Sequence, residues 1–370
     1  MEFFVTAAKG TEPLLRDELR EMRLPQVKCD RGGVHFDGDW LDAFRACLHT
    51  RIGLRVLHVL GRFPATSADD LYDAVREVDW KPWLTPRHTL AVTAFCRDSE
   101  LRHTQFIAQK TKDAIVDQLR DELRERPNVD RQDPDVHIFL HLVKNQATVY
   151  LDLAGESLHR RGYRKDALEA PLKENLAAAL LRYAGWGRIE APLCDPMCGS
   201  GTIAIEAALW AHGIPPGLSR ECFGFERWPS HDESLKKAMK HLRAEARAGA
   251  RRKAPPVMAS DIDPRALEAT AQNARISGVK LEISRRSVLE QKPLDPPGFI
   301  VTNPPYGMRL ETDHEFLTRL GEVFRELHDH TVAVIVPQDG PRRAIPLHSE
   351  KYQIVFNGDI ECRMYVYEIR

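Results

Sequence analysis

The stretch from Leu193 to Ala204, LCDPMCGSGTIA, constrains this chain more than any other. Residues 191–194 read as a short strand and residues 203–211 as a helix, with a glycine loop between them. Gly199-Ser200-Gly201-Thr202-Ile203-Ala204 fits the spacing G-x-G-x-x-[GA], in which glycines let the backbone approach a ligand in front of a helix N-terminus. That spacing suits a dinucleotide pyrophosphate as well as other adenosine-bearing cofactors. Asp195-Pro196 narrows the choice. A carboxylate at the strand tip would repel a pyrophosphate, whereas it suits a ligand with a cationic amino group and a sulfonium. S-adenosylmethionine carries both.

The segments that follow keep the rhythm of strand, loop and helix. Strands are expected at 257–260, 298–302 and 331–336, a helix at 264–277, and a closing pair of strands at 350–358 and 362–369. This predicts an α/β, Rossmann-like doubly wound sheet. Asp261, at the end of the second strand, stands where a carboxylate accepts ribose hydroxyl hydrogens. Asp263 before Pro264 reads as a helix cap. About 50 residues separate the glycine loop from the second strand, too many for one crossover, so a helical insertion is expected at about 212–256. Its basic helix, 232–253, reads by default as a solvated face. Cys194 and Cys198 read as small buried thiols.

Asn303-Pro304-Pro305-Tyr306 follows the apolar strand Phe299-Ile300-Val301. The prolines fix the backbone and remove two donors, which leaves carbonyls free to accept. The Asn303 side-chain oxygen and the Pro304 carbonyl together can accept both hydrogens of a planar NH2. Such a nitrogen is a poor nucleophile because its lone pair is delocalised. Holding its hydrogens out of conjugation frees the lone pair for in-line attack on a sulfonium methyl, by positioning and electrostatics. Tyr306 offers a ring for stacking.

The first half carries no nucleotide loop. Strands are expected at 1–7, 32–36 and 53–59, and helices at 13–22, 40–48 and 104–124. Val136, Ile138, Leu140 and Leu142 alternate strictly and turn through Lys144-Asn145-Gln146 into a partner strand at 148–153. His137 and His141 share the other face, read as its wet side. The basic run His159, Arg160, Arg161, Arg164 and Lys165 reads equally as a solvated linker or as a phosphate contact. With 53 Lys+Arg against 54 Asp+Glu, any grip on a polyanion has to come from local patches. No segment approaches the length of a membrane span. The first residues read as a strand running into a helix, so no secretion signal is expected. Seven scattered cysteines without a CxxC pair argue against disulfides and structural zinc and fit a reducing cytoplasm.

At these motifs the chain resembles the THUMP-domain RNA guanine-N2 methyltransferases, nearly end to end. FFVTAAKGTEPLLRDELR, LRHTQFIAQKTKDAIVD, GESLHRRGYR, APLKE, DPMCGSGT, DIDPRALEATAQNARISGV, VTNPPYGMRL and NGDIECRMYVYEI carry the resemblance. It implies a ferredoxin-like element at 1–52, a THUMP RNA-binding domain at 53–157 and a Rossmann-like methyltransferase domain at 158–370. It further implies that Asp195, Gly199 and Gly201 cradle the methionine end of S-adenosylmethionine, with Pro196 and Thr202 also in the cofactor site. Asp261 would hold the ribose, Pro171 and Lys173 would lie near the cofactor, and Asn303 to Tyr306 would hold the target amine. Where such enzymes often carry an acidic residue to read the adenine amine, this chain offers Ser287. The implied reaction forms N2-methylguanosine in structured RNA, with 23S rRNA leading and tRNA as the close alternative. Adenine in DNA and glutamine in protein are the other amines that NPPY serves, and an inactive RNA-binding assembly factor is the non-enzymatic reading. No metal and no membrane partner are expected. Bacterial ribosomal members are often fused to a second methyltransferase domain, for which 370 residues leave no room, so a single activity is expected.

Overall fold

The computed structural model describes residues 1–164, 172–187, 190–305, 310–338, 345, 347 and 351–370, with backbone alone over 310–314. The first half holds β1 (Glu2–Thr6), α1 (Glu12–Glu21), β2 (Lys28–Asp30), β3 (Gly33–Asp37), α2 (Trp40–His49) and β4 (Arg55–Pro64). It continues through α3 (Ala68–Arg76), β5 (Thr89–Arg97), α4 (Thr104–Leu123), β6 (Asn128–Val129), β7 (Val136–Val143) and β8 (Gln146–Asp152). These strands form one sheet in the order β2-β3-β1-β4-β8-β7-β5-β6. β4 is the shared strand: it pairs with β1 on one side and β8 on the other, running past a bulge between Val59 and Gly61. The alternation breaks at that bulge, so the sequence pattern stops at residue 59 although pairing with β8 carries β4 on to Pro64.

The β7–β8 hairpin follows from its sequence. Val136, Ile138, Leu140 and Leu142 are fully buried, and Lys144 and Asn145 take φ of 51° and 60°, as a two-residue turn between twisted strands requires. The opposite face is drier than expected. His137 and His141 are half-buried there, near a small cluster of Phe4, Leu57 and Tyr150, and burial pushes the His137 imidazole down to about 4.

The second half contains α5 (Glu174–Tyr183), β9 (Leu193–Asp195), α6 (Thr202–Ala211), α7 (Glu233–Ala248), β10 (Val257–Asp261), α8 (Pro264–Ser277) and β11 (Glu282–Arg285). β12 (Phe299–Thr302), α9 (Leu310–Arg325), β13 (Thr331–Pro337), β14 (Lys351–Asn357) and β15 (Ile360–Glu368) complete it. The sheet order is β11-β10-β9-β12-β13-β15-β14, with β15 antiparallel to β13 and β14 and the other pairs parallel. The order reverses between β9 and β12, the switch point outside which such sheets bind ligands. β9 starts later than expected because Pro192 has no N–H; Leu193 donates instead to Pro256 O at 3.1 Å. α6 is buried almost all round, as its apolar sequence demands.

Residues 212–256 hold two 3-10 turns and α7. α7 ends at Ala248, short of the expected 253, because Gly249 is a poor helix residue and caps it. Phe225, within FGFERWP, stacks on Phe44 of α2 with centroids 3.9 Å apart and planes within 8°. Trp40, Trp83 and Trp228 pack around this pair, joining the insertion to the first half. At the other end Phe356 N donates to Lys9 O at 3.1 Å and Gln353 Nε2 to Gly10 O at 2.9 Å. Among the described residues no helix is long and apolar enough to cross a membrane.

Candidate active site

The strands β11, β10, β9 and β12 end side by side. Asp195, the last residue of β9, is 1% exposed. Thr302, the last residue of β12, donates its hydroxyl to Asp195 Oδ1 at 3.0 Å, and Met197 N donates to the same oxygen at 3.3 Å. Burial pushes the Asp195 carboxyl up to about 7; the two donors pull it down, and the nearby Asp261 charge adds to the upward push. Asp195 forms no ion pair among the described residues. A buried carboxylate without a cation beside it is expensive, and a cationic ligand would relieve that cost.

The loop after β9 is held by hydrogen bonds at most of its residues. Cys198 N donates to Ser260 O at 3.0 Å, Thr270 Oγ1 to Gly199 O at 2.8 Å, and Asn273 Nδ2 to Ser200 O at 2.9 Å. The two glycines differ in purpose. Both have positive φ, 53° at Gly199 and 82° at Gly201. A Cβ on Gly201 would meet the Thr270 side chain at 2.8 Å, so this glycine lets α6 pack on α8. A Cβ on Gly199 would meet nothing within 4 Å, so this glycine opens to the space in front of the loop.

Asp261 closes the neighbouring strand end. Gly199 N donates to its Oδ2 and Asp263 N to its Oδ1, both at 3.0 Å. A carboxylate has about four lone-pair sites, so about two remain for a ligand. Asp263 caps α8 as expected, accepting from Arg265 N at 2.9 Å. Between them Ile262 is 66% exposed, a bare apolar side chain at the strand tip.

The remaining expected residues fall around this centre. Pro196 is buried in the loop. Thr202 opens α6, but its hydroxyl accepts from Arg164 Nη2 at 2.8 Å. Arg164 also donates to Leu172 O at 3.0 Å, beside the half-buried Lys173 that caps α5. Ser287 caps the turn after β11, accepting from Leu289 N at 3.3 Å, and its neighbour Arg286 donates to Asp261 O at 3.2 Å. Asn303 is half-buried, Pro304 buried and Pro305 exposed. Pro171 and Tyr306 lie outside the described residues. Among the described residues no group of three or more His, Cys, Asp or Glu could hold a metal.

Residues 161–365 match the family described as RMKL-like, methyltransferase domain. The chain belongs to that family. Ahead of it, residues 65–152 match the THUMP domain and residues 2–57 the RlmL ferredoxin-like domain. Over its whole length the chain is 41% identical to a protein of Methylococcus capsulatus named ribosomal RNA large subunit methyltransferase K/L, covering 51% of it. The chain thus spans about half the length of the curated relatives it matches. Among solved structures, SMU.472 complexed with SAH is 30% identical with a TM-score of 0.89, covering 100% of this chain and 98% of that one. A Listeria monocytogenes structure described as a predicted N6-adenine-specific DNA methylase is 29% identical with a TM-score of 0.87, covering 99% of this chain and 95% of that one.

Around this candidate site, the sequence reading passed over Thr302 and Ile262 and gave Arg164 only as one member of a basic run. Thr302 is visible only as the polar end of FIVT, and its partner lies 107 positions away. Arg164 sits in a basic run whose members face different ways: Arg161 is buried on Arg51 O at 2.5 Å, while Arg160 is exposed. Ile262 had no signal beyond an apolar residue between two aspartates.

Proposed function

We propose that this chain transfers a methyl group from S-adenosylmethionine to the exocyclic amine of a guanosine in large-subunit ribosomal RNA, giving N2-methylguanosine. One observation carries the reading: a buried carboxylate, Asp195, without a cationic partner among the described residues, is hydrogen-bonded to the residue that precedes Asn303-Pro304-Pro305. The cofactor supplies an electrophilic methyl on a positively charged sulfur. The chain supplies the rest.

Asp195 gives the amino end its counter-charge, and Gly199 lets the loop backbone come close. Asp261 accepts the ribose hydroxyl hydrogens, and Ile262 gives the adenine an apolar surface. Pro196, Gly201 and Thr202 shape the loop, Lys173 and Ser287 lie near it, and Pro171 is assigned to the cofactor by the family resemblance alone. Asn303 and the Pro304 carbonyl accept the two hydrogens of the guanine amine, and Tyr306 stacks on the flipped base. The name of the Methylococcus relative supports a ribosomal substrate, and the THUMP match supports RNA as the partner. The division 1–52, 53–157 and 158–370 belongs to the same reading, with β4 as the strand common to the first two parts. Seven cysteines without a disulfide suit a reducing cytoplasm.

Incubation with labelled cofactor and separate ribosomal RNA, transfer RNA, DNA and protein pools tests this. Label in large-subunit RNA as N2-methylguanosine is the expected result. Label in DNA as N6-methyladenine, the chemistry named for the Listeria structure, would contradict it.

A further inference from the structure

We infer that the sugar–phosphate backbone of the substrate RNA lies in a basic trough between the linker after β8, the turn at 219–222 and α7. The inference rests on the RNA reading above. Two hollows, of about 790 and 630 Å³, share residues 219–222 as a common wall. Their linings together carry ten Lys and Arg against four Asp and Glu, in a chain whose net charge is −1. A third hollow of about 680 Å³ shares Arg131 and His137 with the larger one and continues beside α4.

Many of these cations already have partners. Arg160 pairs with Glu156, Arg227 with Asp133 and Arg243 with Glu226, while Arg220 donates to the carbonyls of Ser157 and Arg160. These contacts fix the walls. Arg131, Lys240 and Arg247 are exposed and form no ion pair among the described residues. Lys240 and Arg247 stand on α7 and Arg131 on the loop between β6 and β7, which completes the lining of the larger hollow.

The lining favours a nucleic acid over a protein partner. Protein interfaces centre on apolar and aromatic anchors. Neither of the two main hollows is lined by an exposed large apolar side chain. Nucleic-acid interfaces are polar and positive. The trough is also tied to the methyl-transfer site: Gly162 lines it, and two residues on, Arg164 donates to Thr202 at the start of α6.

The test uses the full chain and a fluorescent hairpin transcribed from large-subunit ribosomal RNA, titrated between 50 and 200 mM salt on the scale over which such contacts respond. R131A/K240A/R247A should flatten the log–log salt dependence by about 2–3 and weaken binding roughly a hundredfold at 100 mM salt. R131K/K240R/R247K should keep the wild-type slope, and calorimetry should find S-adenosylmethionine binding unchanged in both variants. An alanine variant with wild-type slope and affinity overturns the inference, as does a charge-conserving variant that loses as much. Retained RNA binding with lost binding of a polyglutamate peptide would also overturn it, in favour of an acidic protein. A wild type that binds RNA steeply through these residues but methylates none refutes the guanine reading and leaves the trough standing.

Discussion

Thr302 and Asp195 lie on neighbouring strands, and the 3.0 Å hydrogen bond between them couples the carboxylate at the tip of β9 to the residue just before Asn303. In the proposed site, one contact thereby joins the cofactor side to the acceptor side. Thr302→Val keeps the shape and removes the donor. With that bond gone the Asp195 carboxyl should rise further, and the dissociation constant for S-adenosylmethionine at pH 7 should increase about tenfold to a hundredfold, in line with about 1.5–3 kcal/mol for a bond to a charged group. Isothermal calorimetry on the two proteins measures it.

The pH dependence of cofactor binding follows from Asp195 itself. Its carboxyl in the free chain is pushed up to about 7, so below that pH a cationic ligand must first displace a proton. Affinity should therefore rise with pH through about 7, roughly tenfold per unit below it. Folding stability runs the opposite way. The folded-state value exceeds the ordinary 3.8, so this group favours the folded chain at low pH, and its contribution is lost between about 4 and about 7. Asp195→Asn should weaken cofactor binding and flatten both profiles.

The two loop glycines should separate stability from binding. Gly201→Ala forces positive φ on a side chain and drives its Cβ into Thr270, for a loss of about 2–4 kcal/mol in urea unfolding. Gly199→Ala meets open space and should destabilise by only about 1–2 kcal/mol, while weakening cofactor binding because the methyl fills the ligand side. Equal effects of the two on binding would contradict the division of labour.

Behind the loop, Arg161 and Glu206 are both buried with Nε and Oε1 3.5 Å apart, and Tyr163 donates to the same oxygen at 3.2 Å. Arg161→Met removes the nearest cation from a buried carboxylate, leaving the charge of Arg51 and the Tyr163 hydroxyl, and should cost about 3 kcal/mol. Adding Glu206→Gln should recover part of that loss. A denaturation midpoint for the double variant no higher than for the single one would argue against pairing.

Much of this was legible in the sequence where local chemistry decides. α8 runs from Pro264 to Ser277 because Asp263, Pro264 and Gly278 punctuate it. The β7–β8 hairpin is written in its alternation. Elements whose existence depends on neighbours left little trace: β2 and β6 are three and two residues long, and β5 buries only the consecutive Leu90 and Ala91, without an alternating face. The site divides in the same way. Asp195, Asp261 and Asn303 stand out because each ends or directly follows a readable strand, whereas the Thr302 and Arg164 contacts join residues far apart in the chain, and only the folded sheet brings them together.

The most direct measurement is single-turnover methyl transfer by Asn303→Ala to an unmodified large-subunit RNA fragment, alongside cofactor binding by the same protein. If Asn303 and Pro304 hold the guanine amine, cofactor affinity should stay within about twofold of wild type. The transfer rate should fall by at least about a hundredfold, the scale seen when a preorganised polar contact to a reacting group is removed. Near-normal transfer by that variant would contradict the account.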